Sequence, residues 1–153
     1  MSRLLGIDLG ERRIGIAVAD PDGRARALQT LRRARTVTAD AEALRRIIDE
    51  QDASELIVGL PLEAGGHEGP QVAITRTWVD AVTPLLTGVA IRFRDERLSS
   101  HVAEGRVGPM KRGRSGGPPS ATQRAAHRAR IDREAAAIIL QDELDARARV
   151  EQP

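Results

Sequence analysis

The hydrophobic pattern of this chain changes its period once, near residue 36, and that change limits the folds it can adopt. Before it lie two short apolar runs, Leu4–Leu9 and Ile14–Ala19, joined by a charged turn. A strong turn signal at residues 20–23 (DPDG) then precedes a third extended segment, Ala25–Leu31. Short apolar runs separated by turn residues predict β-strands. We therefore expect a three-stranded antiparallel meander at the start of the chain.

After residue 36 the apolar positions take helical spacing and alternate with short strands. Thr38 is predicted to cap a helix that ends near Asp52. The continuous apolar run Glu55–Leu60 predicts a strand buried on both faces. The remaining predicted elements are a helix at Pro70–Leu86 that Pro84 kinks or ends, a strand at Val89–Phe93, a brief helix at Ser99–Glu104 and a long helix at Arg124–Arg149. This order predicts an α/β fold with a mixed five-stranded sheet, three strands antiparallel and two further strands parallel, flanked by helices.

The length of 153 residues predicts a single domain over 1–153, with a flexible basic loop at about 105–122 and a short C-terminal tail. The absence of cysteine excludes disulfides and thiolate zinc sites. With one Trp, one Phe and no Tyr, the chain lacks the aromatic platforms that stack bases. No apolar run approaches the ~20 residues of a membrane span, so we expect a cytoplasmic protein without a membrane partner.

Charge is distributed unevenly although the net charge is only +2. The block Gly105–Arg130 contains seven cations and no acidic residue. Such a stretch suits a polyanion, because Lys and Arg that neutralise phosphates release condensed counterions. It is equally compatible with a solvated loop in an arginine-rich chain, since 23 of the 24 cations are Arg. Charge alone leaves both interpretations open.

Three positions carry carboxylates that simple structural roles explain poorly. Asp8 interrupts the apolar run LLGIDLG, Asp95 and Glu96 lie where the last predicted strand ends, and Asp132 falls in the apolar stretch RIDREAAAIIL. Burial of an unpaired carboxylate is costly. Because the carboxyl ends of parallel strands meet at one sheet edge, we expect Asp8 and the Asp95–Glu96 pair to lie close together, with Asp132 added by a helix.

Gathered carboxylates without a cationic partner repel one another, and a divalent cation relieves that repulsion. Oxygen ligands favour Mg²⁺ or Mn²⁺. The structural alternatives are that Asp8 caps the turn around Arg12 and Arg13, and that Asp132 pairs with Arg128 one helical turn away. The joint placement of the acids favours the metal site.

Four segments in order, GIDLGERRIGIAVAD, IVGLPLEAGG, RDERLSS and IDREAAAIIL, resemble the YqgF/RuvX family of RuvC-like nucleases. They span Leu4 to about Leu144, which is nearly the whole chain. Members of this family are described as Holliday junction resolvases and as nucleases that trim the precursor of 16S ribosomal RNA. The resemblance implies an RNase H-like fold, in agreement with the predicted element order, and metal-dependent cleavage by an acidic triad.

The resemblance assigns the triad to Asp8, Glu96 and Asp132, which would be both the catalytic residues and the ligands of Mg²⁺ or Mn²⁺, as a two-metal site. Strand alternation alone does not choose between Asp95 and Glu96; the family pattern favours Glu96 and leaves Asp95 as an auxiliary ligand. Gly59 and Pro61 match a structural turn of the family. Two departures stand out: Ser99 and Ser100 where Thr is common, and the Gly-, Pro- and Arg-rich composition of residues 105–122.

These observations together predict a metal-dependent nuclease that acts on structured nucleic acid, either branched DNA or precursor rRNA. Phosphate contacts are assigned to four cations: Lys111, Arg112, Arg114 and Arg128. One alternative is a non-catalytic nucleic-acid-binding module of the same fold, although retention of all three acids argues against it. Another is an ATPase-type domain, since a similar hairpin opens actin-like and sugar-kinase folds, but 153 residues leave no room for the second domain.

The predicted substrate bears on oligomeric state. Paired nicks in a four-way junction require two active sites and therefore a symmetric homodimer. Trimming of an RNA end requires one site. The sequence leaves the choice open.

Overall fold

The computed structural model describes residues 3–63, 65–96, 99–113 and 116–151. Its five strands form one sheet in the order β3-β2-β1-β4-β5. They are β1 (Arg3–Leu9), β2 (Arg13–Ala19), β3 (Ala25–Arg32), β4 (Ala53–Leu60) and β5 (Ala90–Asp95). β1, β2 and β3 pair antiparallel, whereas β4 pairs parallel with both β1 and β5. The predicted mixed sheet is confirmed.

The described residues form four α-helices: α1 (Val37–Gln51), α2 (Pro70–Val82), α3 (Ser99–Val107) and α4 (Ala121–Glu151). α1, α2 and α4 pack on the sheet, whereas α3 packs against α4. A 3-10 turn at Thr83–Leu85 follows α2, so Pro84 does end the α-helix, as predicted. Within the described ranges, no helix combines the length and the hydropathy that a bilayer span needs.

The two faces of the sheet carry different cores because side chains alternate along each strand. Leu5 and Ile7 of β1 pack with α1 and α2 in the larger apolar cluster. The opposite face carries small residues, and α4 packs there across β1 and β2. A Cβ added to Gly6 would lie 2.5 Å from the carbonyl oxygen of Ala136, and one added to Gly15 would collide with the backbone of Asp132. These glycines therefore let α4 lie directly on the sheet.

Some predicted boundaries are wrong. The cap of α1 is Thr36, not Thr38: Thr36 has an extended backbone, and its hydroxyl oxygen accepts the Ala39 N–H at 3.1 Å. α3 continues to Val107, where Arg106 pairs with Glu134 of α4 at 3.0 Å.

Together with the start of α4 at Ala121, the longer α3 makes both ends of the predicted loop at 105–122 helical. At the other end, α4 continues to Glu151 rather than ending at Arg149.

Candidate active site

Asp8 lies in β1 on the face that α4 covers, and only 8% of it is exposed. Burial raises the pKa of the Asp8 carboxyl from its usual 3.8 to about 6; the negative charge of Asp132 adds to that rise, and a hydrogen bond with Glu96 opposes it. These causes establish that Asp8 contacts Glu96 and lies within electrostatic reach of Asp132. The structure thus brings the three predicted acids to one place.

Glu96 reaches Asp8 across an intervening strand, because β4 lies between β1 and β5. Glu96 follows the last residue of β5, and its N–H donates to the carbonyl of Leu60 at 3.0 Å. A Cβ added to Gly59 would lie 2.8 Å from the side-chain carboxyl carbon of Glu96 and 2.5 Å from Cδ1 of Ile139. Gly59, which lies within β4 and not in a turn, therefore leaves the space that the Glu96 side chain occupies. Pro61 follows the end of β4.

Asp95 is the last residue of β5, and the alternation along that strand separates it from Glu96. Arg94 points to the α4 face, where it pairs with Glu143 at 3.2 Å. Phe93 packs with the cluster on the opposite face. Asp95 follows the direction of Phe93, which favours Glu96 as the residue that joins Asp8.

Asp132 has a cationic partner that the sequence interpretation did not identify. Its carboxylate accepts a hydrogen bond from Nε of Arg13 at 2.6 Å. Arg13 is the first residue of β2, 119 positions earlier in the chain, so the pair fastens α4 to the sheet beside Gly15. The expectation of three carboxylates with no cation among them is therefore wrong, and so is the alternative pairing of Asp132 with Arg128.

The cluster supplies carboxylate oxygens, the ligand type that Mg²⁺ and Mn²⁺ prefer. A hydrogen bond between the Asp8 and Glu96 carboxyls requires one proton between the two groups. Within the described ranges, no three acidic or histidine side chains are already arranged as a metal-ligand set. The donor chemistry fits a divalent cation once that proton leaves and Asp132 separates from Arg13.

Of the predicted phosphate-binding residues that the structure describes, Arg128 lines a cleft to which Lys111 and Arg112 do not contribute. Lys111 and Arg112 lie in the segment before α4, where Arg112 donates to the carbonyl of Gly116 at 3.3 Å. Arg114 lies outside the described residues, as do the side chains of Ser99 and Ser100. Arg128 lies on α4 and lines a separate cleft of about 1050 Å³.

Four more arginines line the cleft that contains Arg128, and the sequence interpretation missed them as binding residues: Arg12, Arg13, Arg32 and Arg33. They form two Arg-Arg pairs at the neighbouring ends of β2 and β3, where Arg13 is the Cα partner of Arg32. The sequence did show that residues 1–35 are basic, with eight Arg against four acidic residues. Only the strand register showed which of these arginines lie together.

Residues 2–146 match the family model described as RuvX, Holliday junction resolvase. The chain belongs to the RuvX family. It is 42% identical over 147 residues to a candidate pre-16S rRNA nuclease of Anaeromyxobacter sp. (strain K), with 95% of this chain and 98% of the relative covered. A relative of the same description from Frankia casuarinae is 37% identical over 144 residues; the match covers 94% of this chain but 66% of that longer protein.

The RuvX chain also shares its architecture with RuvC. A solved structure of Thermus thermophilus RuvC, in complex with a Holliday junction substrate, aligns over 97% of this chain and 96% of the RuvC chain. The TM-score is 0.55 at 15% sequence identity, so the likeness concerns the fold. The predicted RNase H-like fold is confirmed, and the family places the chain among nucleases.

Proposed function

We propose that this chain is a metal-dependent nuclease that hydrolyses phosphodiester bonds in structured nucleic acid. The observation that carries the proposal is the buried Asp8 carboxyl, hydrogen-bonded to Glu96 and with the charge of Asp132 beside it. A structural ion pair would combine one acid with one base. This cluster instead joins two carboxyls, and burial, with the charge of Asp132, raises the pKa of Asp8, as expected at a functional site.

Asp8, Glu96 and Asp132 are the residues that would hold Mg²⁺ or Mn²⁺. Two such ions, when bound, activate the attacking water and stabilise the leaving oxygen of the phosphodiester. Asp8 supplies a rigid ligand, because its strand is hydrogen-bonded on both sides to β2 and β4. Glu96 follows β5 directly, and the missing side chain of Gly59 keeps its path to Asp8 open.

Two substrates are consistent with this site, and both are nucleic acids. The descriptions of the relatives favour a precursor of 16S ribosomal RNA, which one active site could process. The RuvC structure contains a Holliday junction, whose resolution by this chain would need a symmetric homodimer. We propose RNA end processing and junction cleavage as the two activities to compare directly.

The decisive experiment measures cleavage of a four-way DNA junction, single-stranded DNA and a 5′-extended 16S precursor RNA with Mg²⁺ and with Mn²⁺. Wild-type protein should cleave at least one of them, and Asp8→Asn should lower the rate by about 100-fold or more, because loss of an essential group at such a site costs several kcal/mol of transition-state stabilisation. Asp142→Asn, an exposed Asp on α4, is the matched control and should retain the wild-type rate.

Calorimetric titration with Mn²⁺ separates metal binding from chemistry. Wild-type protein should bind Mn²⁺ more tightly than Asp8→Asn, with Asp142→Asn again equal to wild type. Full activity of Asp8→Asn on the cleaved substrate would exclude the assigned site.

The ion pair between Arg13 and Asp132 favours one second candidate, a non-catalytic nucleic-acid-binding module. In that case Arg13 would hold Asp132 permanently, and the third ligand would never become available. Nucleic-acid binding without cleavage of any of the three substrates under either metal would select this candidate.

A further inference from the structure

A cleft of about 1050 Å³ opens between the turn from β1 to β2, the end of β3 and the start of α4. We call it the arginine cleft after its five arginines: Arg12, Arg13, Arg32, Arg33 and Arg128. Glu11 is the one acidic residue among the lining side chains that the structure describes there, and α4 contributes small Ala and Thr side chains beside Arg128. The cleft is therefore predominantly basic, with small uncharged side chains between the arginines.

The fold holds the arginines of the two strand ends in a fixed arrangement. Arg13 and Arg32 are Cα partners in the β2–β3 ladder, and the N–H of Arg33 donates to the carbonyl of Arg12 at 2.8 Å. The buried carboxylate of Asp40 lies 3.7 Å from Nε of Arg33. The arginines at the two strand ends are thus held by backbone hydrogen bonds between β2 and β3. Less conformational entropy is therefore lost when a ligand binds than if they lay on a flexible loop.

Three of the five guanidinium groups are available to a ligand. Arg13 pairs with Asp132 and Arg33 with Asp40. Arg12, Arg32 and Arg128 are exposed and make no ion pair with any residue that the structure describes.

Guanidinium groups at one cleft repel one another, and an anion relieves that repulsion. Their planar donor geometry matches phosphate oxygens in particular. Trp78 and Phe93, the two aromatic residues of the chain, are not among the lining residues, so base stacking is not the recognition that this cleft offers. A row of phosphates is the ligand that fits the charge and the donor geometry of these arginines.

We propose that the arginine cleft binds the sugar-phosphate backbone of the nucleic-acid strand next to the bond that is cut, with Arg12, Arg32 and Arg128 as its phosphate ligands. Arg13 links the two sites, since it lines the cleft and also lies 2.6 Å from the Asp132 carboxylate. A strand that leaves the acidic site on this side enters the cleft directly. The inference rests on the proposed nuclease function for its substrate class, and binding can be measured without cleavage.

The test is fluorescence anisotropy in EDTA with two labelled probes, a four-way DNA junction and an RNA hairpin with a 5′ extension. The triple variant Arg12→Gln/Arg32→Gln/Arg128→Gln should bind at least one probe ten or more times more weakly. The slope of log affinity against log salt should fall in magnitude by about 3, because each phosphate contact contributes about 0.9 on duplex DNA and somewhat less on single strands.

A matched triple variant controls for net charge. Arg24→Gln/Arg46→Gln/Arg149→Gln removes three exposed arginines that lie outside the cleft lining and should leave the slope close to that of wild type. Glu11→Gln is the opposite probe, since loss of the acidic residue at the rim should strengthen binding. Circular dichroism and the melting temperature verify that every variant is folded.

The probe that responds identifies the source of the backbone, DNA or RNA. Equal affinities and slopes for the two triple variants on both probes would overturn the inference, even if the wild-type protein cleaves its substrate. Conversely, loss of binding in the cleft variant of a protein that cleaves nothing would retain the cleft and remove the nuclease function.

Discussion

Substitution of Asp8 by Asn should stabilise the folded protein while it abolishes cleavage. The Asp8 carboxyl is buried, and its folded pKa of about 6 lies above the usual 3.8. Between these two pH values the unfolded chain has lost the proton and the folded chain has kept it. The wild-type free energy of unfolding therefore falls as pH rises from about 4 to about 6, and then stays at the lower level.

The difference of about two pKa units corresponds to about 3 kcal/mol at 1.36 kcal/mol per unit. Asn carries no charge at any of these pH values, and its amide N–H can donate to the Glu96 carboxylate in place of the shared proton. At pH 8 the variant should be more stable than wild type by up to about 3 kcal/mol, and at pH 3.5 it should be nearly equal. For a chain of this size the gain at pH 8 corresponds to roughly 6–12 °C in melting temperature.

Urea unfolding in EDTA, followed by circular dichroism at both pH values, measures this effect. Asp142→Asn supplies the control, because its exposed carboxylate should give no pH-dependent gain. If Asp8→Asn were no more stable than wild type at pH 8, or gained as much at pH 3.5, the assignment of the raised pKa to a buried Asp8 would be refuted.

Three further perturbations test the packing around the site. Gly59→Ala should lower the free energy of unfolding by about 1–3 kcal/mol in urea and should reduce Mn²⁺ affinity, because the added Cβ would overlap the Glu96 carboxyl. Unchanged Mn²⁺ affinity would contradict that packing. Asp40→Ala should lower the free energy of unfolding by about 2–4 kcal/mol in the same assay, because the N–H groups of Ala34 and Trp78 that donate to this buried carboxylate would lose their acceptor. A loss below 1 kcal/mol would contradict this. Arg147→Gln should reduce the loss of stability on acidification through pH 4.5. Arg147 holds the pKa of Glu143 below its usual value, so the Glu143 carboxylate stabilises the folded state above that pH. This stabilisation is lost as Glu143 is protonated. An acid unfolding profile identical to wild type would reject this role for Arg147.

The local pattern of the sequence was sufficient to predict the elements and the fold class. Short apolar runs and turn residues determine three strands before residue 36, and the run Glu55–Leu60 marks the buried parallel strand. The errors are local too. At the start of α1, Thr36 and Thr38 are both good capping residues, and only the backbone conformation of Thr36 distinguishes them.

By itself, the sequence determined which residues could carry the chemistry, because a carboxylate within an apolar run is costly wherever the chain places it. Only the tertiary structure decided their partners. Arg13 and Asp132 are 119 positions apart, and Glu96 meets Asp8 only because the strand between them has a glycine at the crossing point. The arginine cleft depends in the same way on the register of β2 with β3. The hydrophobic period of a segment predicts its local structure. Strand order and helix placement decide which charged residues share a site, because they bring together segments that are far apart in the sequence.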